Sequence, residues 1–127
     1  MLWRVLLVSL VLLISMMNMQ RIPTGVWGGQ QINIEVGEKS ATIEYDCASG
    51  VINGPLTVDA NGNFKLRGTH RIERGGPIRA DDDTKGQPAT YTGSIKGNTM
   101  TLTLKVGDAE ETFTLEKGKP GDLVKCK

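Results

Sequence analysis

Three features of this chain predict an all-β fold, a single small antiparallel barrel built as a meander of seven to eight strands. From Gln31 onward, apolar and polar residues alternate with a period of two in one short run after another, and no longer run carries helical spacing. Turn signals such as "GEK", "DANGN", "KGN" and "GD" separate the runs. Each aromatic beyond the N-terminal segment falls on or just before a different run: Trp27, Tyr45, Phe64, Tyr91 and Phe113. The last four lie on the apolar face of their run, and one large side chain per strand suits a single closed core.

The elements follow in order. "MLWRVLLVSLVLLISMM" carries one basic residue, Arg4, and then a mostly apolar run to Met17. That is too short for a comfortable membrane span, which needs about 18–20 residues, and it matches an export signal. Residues 1–20 are therefore expected to be a signal peptide or signal-anchor, and residues 21–127 the barrel domain. No Ala occurs before Ala41, so the small-x-small cleavage triplet is missing and an uncleaved leader stays open. The expected location is extracytoplasmic, periplasmic or secreted, with the membrane reached only through such a leader.

"TGVWGG", Thr24 to Gly29, places Trp27 among glycines just before the first alternating run. "QQINIEV" then sets Ile32, Ile34 and Val36 on one face, and "ATIEYDC" sets Ala41, Ile43, Tyr45 and Cys47 likewise. The stretch Val51–Val58 is interrupted by "NGP" and reads as a broken or edge strand. "FKLRGTHRI" places Phe64, Leu66, Gly68, His70 and Ile72 inward, against Lys65, Arg67, Thr69 and Arg71 outward. After the polar loop "ERGGPIRADDDTKGQP" come "ATYTGSI" (Tyr91, Gly93, Ile95 inward), "TMTLTLKV" (Met100, Leu102, Leu104, Val106) and "ETFTLE" (Phe113, Leu115). "LVKC" reads as a last short strand.

Composition narrows the function classes. The chain of 127 residues, 39% of them apolar, supports one domain with a modest core. Leaving out Arg4, its fourteen basic residues balance fourteen acidic ones, so no global charge points to nucleic acid. The buried placement of the aromatics also leaves no exposed stacking platform for single strands. Cys47 and Cys126 are the two cysteines; in an oxidising compartment an even pair reads as a disulfide, the alternative being two separate thiols. His70 is the one histidine, and without a "GxSxG"-type elbow it reads as an inward or rim residue and not as a catalyst. Asp81 to Asp83 lack the distal Glu of a calcium loop, and the half-motif "DANGN" is explained as a turn. No cofactor or metal motif is present.

Two features rise above this background. Gly68 and Gly93 sit inward among large residues, where a strand coils tightly, an aromatic such as Trp27 crosses the backbone, or a cavity opens. Lys65, Arg67, Arg71, Arg74 and Arg79 cluster in "KLRGTHRIERGGPIR" with Glu73 as the one acid. That face is either solvated or meets an anionic partner.

A Gly-x-Trp just before the first strand resembles the start of lipocalin- and avidin-type (calycin-like) barrels, in which the Trp closes one barrel end. "TGVWGG" with "INIEV", "ATIEYDCASGVI", "DANGNFKLRGT", "GGPIR" and "YTGSIKGNTMTLTL" together resemble a family of small exported bacterial proteins of no assigned function. The resemblance spans nearly the whole chain after the leader. It implies the barrel and a Cys47–Cys126 pairing, and it supplies neither a catalytic residue nor a substrate. His70 departs from it, standing where an aromatic is expected.

The expected protein is thus a non-enzymatic barrel binding a small apolar or amphipathic ligand inside, with Trp27, Leu66, Gly68, His70, Tyr91 and Gly93 as candidate lining. The alternative is an envelope protein of hydrolase-inhibitor type, meeting a partner protein through loops and through Lys65, Arg67, Arg71, Arg74 and Arg79. An enzyme is the third reading.

Overall fold

The structure, a computed structural model, describes residues 19–73 and 86–124. Among the described residues ten strands follow in chain order: β1 (Gln20–Arg21), β2 (Gly25–Gly29), β3 (Ile32–Val36), β4 (Ser40–Tyr45), β5 (Ala48–Asn53), β6 (Thr57–Val58), β7 (Asn63–Ile72), β8 (Gln87–Lys96), β9 (Thr99–Val106) and β10 (Ala109–Lys117). Eight of them close an antiparallel barrel in the order β10-β2-β3-β4-β5-β7-β8-β9, while β1 and β6 pair separately. Consecutive barrel strands are neighbours, so this is the expected meander, and closure removes every free edge from the main sheet.

Alternation fixes which side of each strand faces in. Ile32, Ile34 and Val36 of β3, Ala41, Ile43 and Tyr45 of β4, and Met100, Leu102 and Leu104 of β9 are all buried, with their neighbours in the chain more exposed. A one-residue slip would turn each set out to water, which sets the register firmly. An eight-stranded barrel is just wide enough for side chains to fill. Here Trp27, Tyr91, Ile32, Ile34, Ile43, Ile52, Met100, Leu102 and Leu115 are fully buried and belong to one contiguous core.

Three readings of the sequence change. "GVWGG" is itself a barrel strand, β2, paired with β3 along its length and with β10 through Trp27–Lys117 and Gly28–Glu116. The stretch read as broken or edge, Val51–Val58, begins with the last three residues of a barrel strand, β5, which is bonded to β4 and β7; "NGP" ends that strand, and Thr57–Val58 form the separate β6. "LVKC" forms no strand among its described residues. Leu123 and Val124 instead belong to a C-terminal strap, whose only ladder contact among the described residues is the bridge Gln30–Asp122.

The strap explains the glycines around Trp27. A Cβ at Gly28 would run into the backbone of Lys119, Pro120 and Gly121, which crosses over the outside of β2 at that point. A Cβ at Gly29 would meet the Thr114 carbonyl of β10. Trp27 is 1% exposed and fills the interior. The strap is held by Gly121 N–H donating to Asn33 Oδ1 at 2.8 Å, Gln31 N–H to the Asp122 carbonyl at 2.9 Å, and Val124 N–H to Asp46 Oδ1 at 2.9 Å. It brings the chain to the residue before Cys47; Cys126 lies outside the described residues.

The barrel has two unlike ends. At the first lie the start of β2, the β3–β4 and β8–β9 hairpins and the end of β10. Here Ile22 N–H donates to the Leu56 carbonyl at 2.8 Å, β1 pairs with β6, and Ile22 and Leu56 are both buried. This cap spans the expected boundary at residues 20 and 21. "DANGN" is the turn into β7: the Asp59 carboxylate accepts from the N–H groups of Asn61 and Asn63, each at 2.9 Å. The second end carries the β2–β3, β4–β5 and β9–β10 turns and the last residues of β7.

Candidate functional site

Four strands bring a cluster of rings to the second end. Tyr45 is the last residue of β4, His70 lies near the end of β7, Tyr91 is inward on β8, and Phe113 is inward on β10. Tyr45 meets His70 edge-on, with centroids 5.1 Å apart, and Phe113 at a tilt, 5.5 Å apart. Strands β4 and β10 are not neighbours in the barrel, so the Tyr45–Phe113 contact crosses the lumen and lays an aromatic floor beneath the mouth. Tyr45 and Phe113 are 6% and 8% exposed, while His70 is half-buried above them.

Tyr91 reaches this cluster from below. Its hydroxyl donates to the Thr69 carbonyl at 2.7 Å and lies against the Cα of Gly50, where any Cβ would collide with it. Gly50 is the partner of His70 across the β5–β7 pair, so its missing side chain makes the room in which the Tyr91 hydroxyl sits.

Charge enters through Glu111. It shares the inward parity of Phe113 and Leu115, stands opposite the buried Leu104, and is exposed at the rim. Burial holds the His70 imidazole below its ordinary value, with the Glu111 carboxylate pulling the other way. The imidazole is therefore neutral near pH 7. Burial pushes the Tyr45 hydroxyl far up, helped by Tyr91 and by Glu111; burial also raises Tyr91, against a hydrogen bond with Tyr45. His70 Nδ1 is buried with no hydrogen-bond partner among the described residues, and so is Trp27 Nε1. The Trp27 nitrogen is enclosed in the core, whereas His70 Nδ1 belongs to a residue at the mouth.

Of the residues singled out from sequence as ligand lining, His70 and Tyr91 come together here. Leu66 pairs with Tyr91 across β7–β8 and packs on the core half-buried. Gly68 faces the backbone of Val51 and Ile52, and Gly93 faces the Thr101 carbonyl and the Phe64 ring, so both spaces are taken up by neighbouring atoms. The aromatics that lie over glycines are Phe64 at Gly93 and Tyr91 at Gly50, where Trp27 was the aromatic considered. Sequence reasoning missed Tyr45, Glu111 and Phe113 as site residues. The legible signal was Glu111, an acid on the apolar parity of "ETFTLE".

The outer face of β7 carries Lys65, Arg67 and Arg71 exposed in a row. Arg67 pairs across to Thr90, which pairs with Lys105, so a further cation joins the stripe. Arg71 stands 3.9 Å from Glu73, a loose surface pair. Arg74, Arg79 and Asp81 to Asp83 lie outside the described residues. At the capped end an open groove of about 380 Å³ runs between Gln20–Pro23, Val58–Gly62 and Ile95, with Arg21 and Asp59 as its charged residues. Comparison with known protein families, with curated proteins and with solved structures finds no match to this chain.

Proposed function

We propose that the protein is a non-enzymatic, extracytoplasmic binding barrel that takes a small amphipathic ligand at its mouth, the end opposite the β1–β6 cap. The observation that carries this reading is the ring cluster of Tyr45, His70 and Phe113 at that end, with a buried nitrogen, His70 Nδ1, left without a partner. A buried polar atom without a partner costs about 1–3 kcal/mol, which a ligand bringing a hydrogen bond would recover. The ligand sits over the aromatic floor and not deep in the lumen, because side chains from all around the barrel already fill the waist. Titration with 1-octanol, followed through the ring resonances of His70 and Tyr45, tests it. Saturable shifts at both residues are expected; their absence contradicts the reading.

The stripe of Lys65, Arg67 and Lys105 favours a second reading, docking of an anionic envelope protein on the outer face of β7. None of the three makes an ion pair among the described residues, so their charge is available to a partner. In that reading Arg67→Glu with Arg71→Glu abolishes binding to envelope extracts, and added salt weakens it steeply. Binding that survives both changes contradicts it.

A further inference from the structure

The mouth carries a sign as well as an apolar floor. Glu111 lies on the inward parity of β10, opposite the buried Leu104 and two positions before Phe113, whose ring meets Tyr45 at 5.5 Å. The nearest described cations, Arg71 on β7 and Lys105 on β9, each stand one position out of the inward parity, beside His70 and Leu104 respectively. They project from the outer wall, and Arg71 turns toward Glu73. An anionic head group at the mouth would therefore meet a carboxylate and no inward-facing counter-charge among the described residues. A cationic head group would meet that carboxylate, an imidazole nitrogen free to accept a proton donor, and aromatic rings, whose faces attract cations.

We infer that the mouth selects a cationic amphiphile, a primary alkylammonium, with its charge beside Glu111 and His70 Nδ1 and its chain against Tyr45 and Phe113. This rests on the mouth being the ligand site. It adds the head-group chemistry, which the ring cluster alone leaves open. The ammonium keeps two kinds of partner here, an N–H donated to the imidazole nitrogen and a Coulomb attraction to the carboxylate. Glu111 is exposed, so its contribution is moderate and sensitive to salt.

The experiment compares octylammonium, 1-octanol and octanoate, chains of one length with three heads. Each is titrated calorimetrically at low salt and neutral pH into the exported protein and into its Glu111→Gln variant, with the His70 ring followed by NMR. Octylammonium is expected to bind about tenfold more tightly than octanoate. Glu111→Gln is expected to weaken octylammonium several-fold more than it weakens octanol. If octanol binds and octanoate equals or exceeds octylammonium, the head-group inference is overturned while the mouth reading stands. A preference for the ammonium that Glu111→Gln leaves undiminished overturns it too. If no probe moves the His70 resonances, the mouth reading falls and takes the inference with it.

Discussion

At the capped end of the barrel the chain closes the core with its own backbone. Ile22 and Leu56 are both buried, β1 and β6 pair, the Ile22 N–H donates to the Leu56 carbonyl, and the Asp59 carboxylate accepts from Asn61 and Asn63 N–H. At the mouth the core ends in tyrosines, a histidine, a phenylalanine and an acid, and His70 Nδ1 has no partner among the described residues. Apolar residues also stand out of the rim: Ile72 is 68% and Val124 74% exposed. Two ends of one barrel thus solve the same problem differently. The cap is built from aliphatic side chains and main-chain hydrogen bonds, which stabilise that end. At the mouth the buried rings of Tyr45 and Phe113 lie beneath the half-buried His70, whose unpartnered Nδ1 costs stability that the proposed ligand would recover.

The contrast can be broken, and the largest effect lies between the ends. Trp27→Ala empties the waist on which both ends rest and should cost about 3–5 kcal/mol, read as a large fall in melting temperature. An unchanged melting temperature would mean that Trp27 is not core. The strap that runs from cap to mouth comes next. If Cys126 pairs with Cys47 at its far end, reduction or Cys47→Ser should cost up to about 4 kcal/mol in the chain-entropy model. Both thiols found alkylated under non-reducing conditions would refute the pairing. Leu56→Ala, at the cap, should cost about 2–4 kcal/mol and leave octanol affinity unchanged.

The smallest effect separates the mouth by pH. Burial lowers the His70 pKa in the fold, below the unfolded value of about 6.5. The unfolded chain therefore takes up the proton first as pH falls. Stability is fully present above about pH 6.5, declines as pH drops from there toward the folded-state pKa, and levels off beneath it. Denaturation of the wild type and of His70→Gln between pH 8 and pH 4 should show this slope in the first and its reduction in the second. An equal slope in both would place the imidazole in water.

Much of the barrel was legible because one face of each strand is buried. In "TMTLTLKV" and "ATIEYDC" the period of two is unbroken, and the strands fall where alternation puts them. It fails where glycine replaces the apolar residue. Gly50 hides β5, because its place on the inner face is occupied by the Tyr91 hydroxyl from another strand, and "GVWGG" hides β2 for a related reason. The strap was misread because Leu123 and Val124 look like the start of a strand, although the segment is held mainly by single hydrogen bonds to turns and side chains. The mouth was half legible. His70 and Tyr91 stand out in the sequence, but Tyr45 and Phe113 meet across the lumen, a proximity created by closure and not by any spacing along the chain.

The central claim, that the mouth is the binding end and the cap is not, is tested most directly with an octyl chain carrying a nitroxide. Its paramagnetic broadening would be mapped over the backbone amides of the whole protein. Broadening centred on Gly50, His70, Leu104 and Glu111, with Ile22, Leu56 and Ile95 left sharp, is the predicted result. Broadening centred on the Val58–Gly62 groove, or along Lys65 and Arg67 on the outer wall, would contradict it.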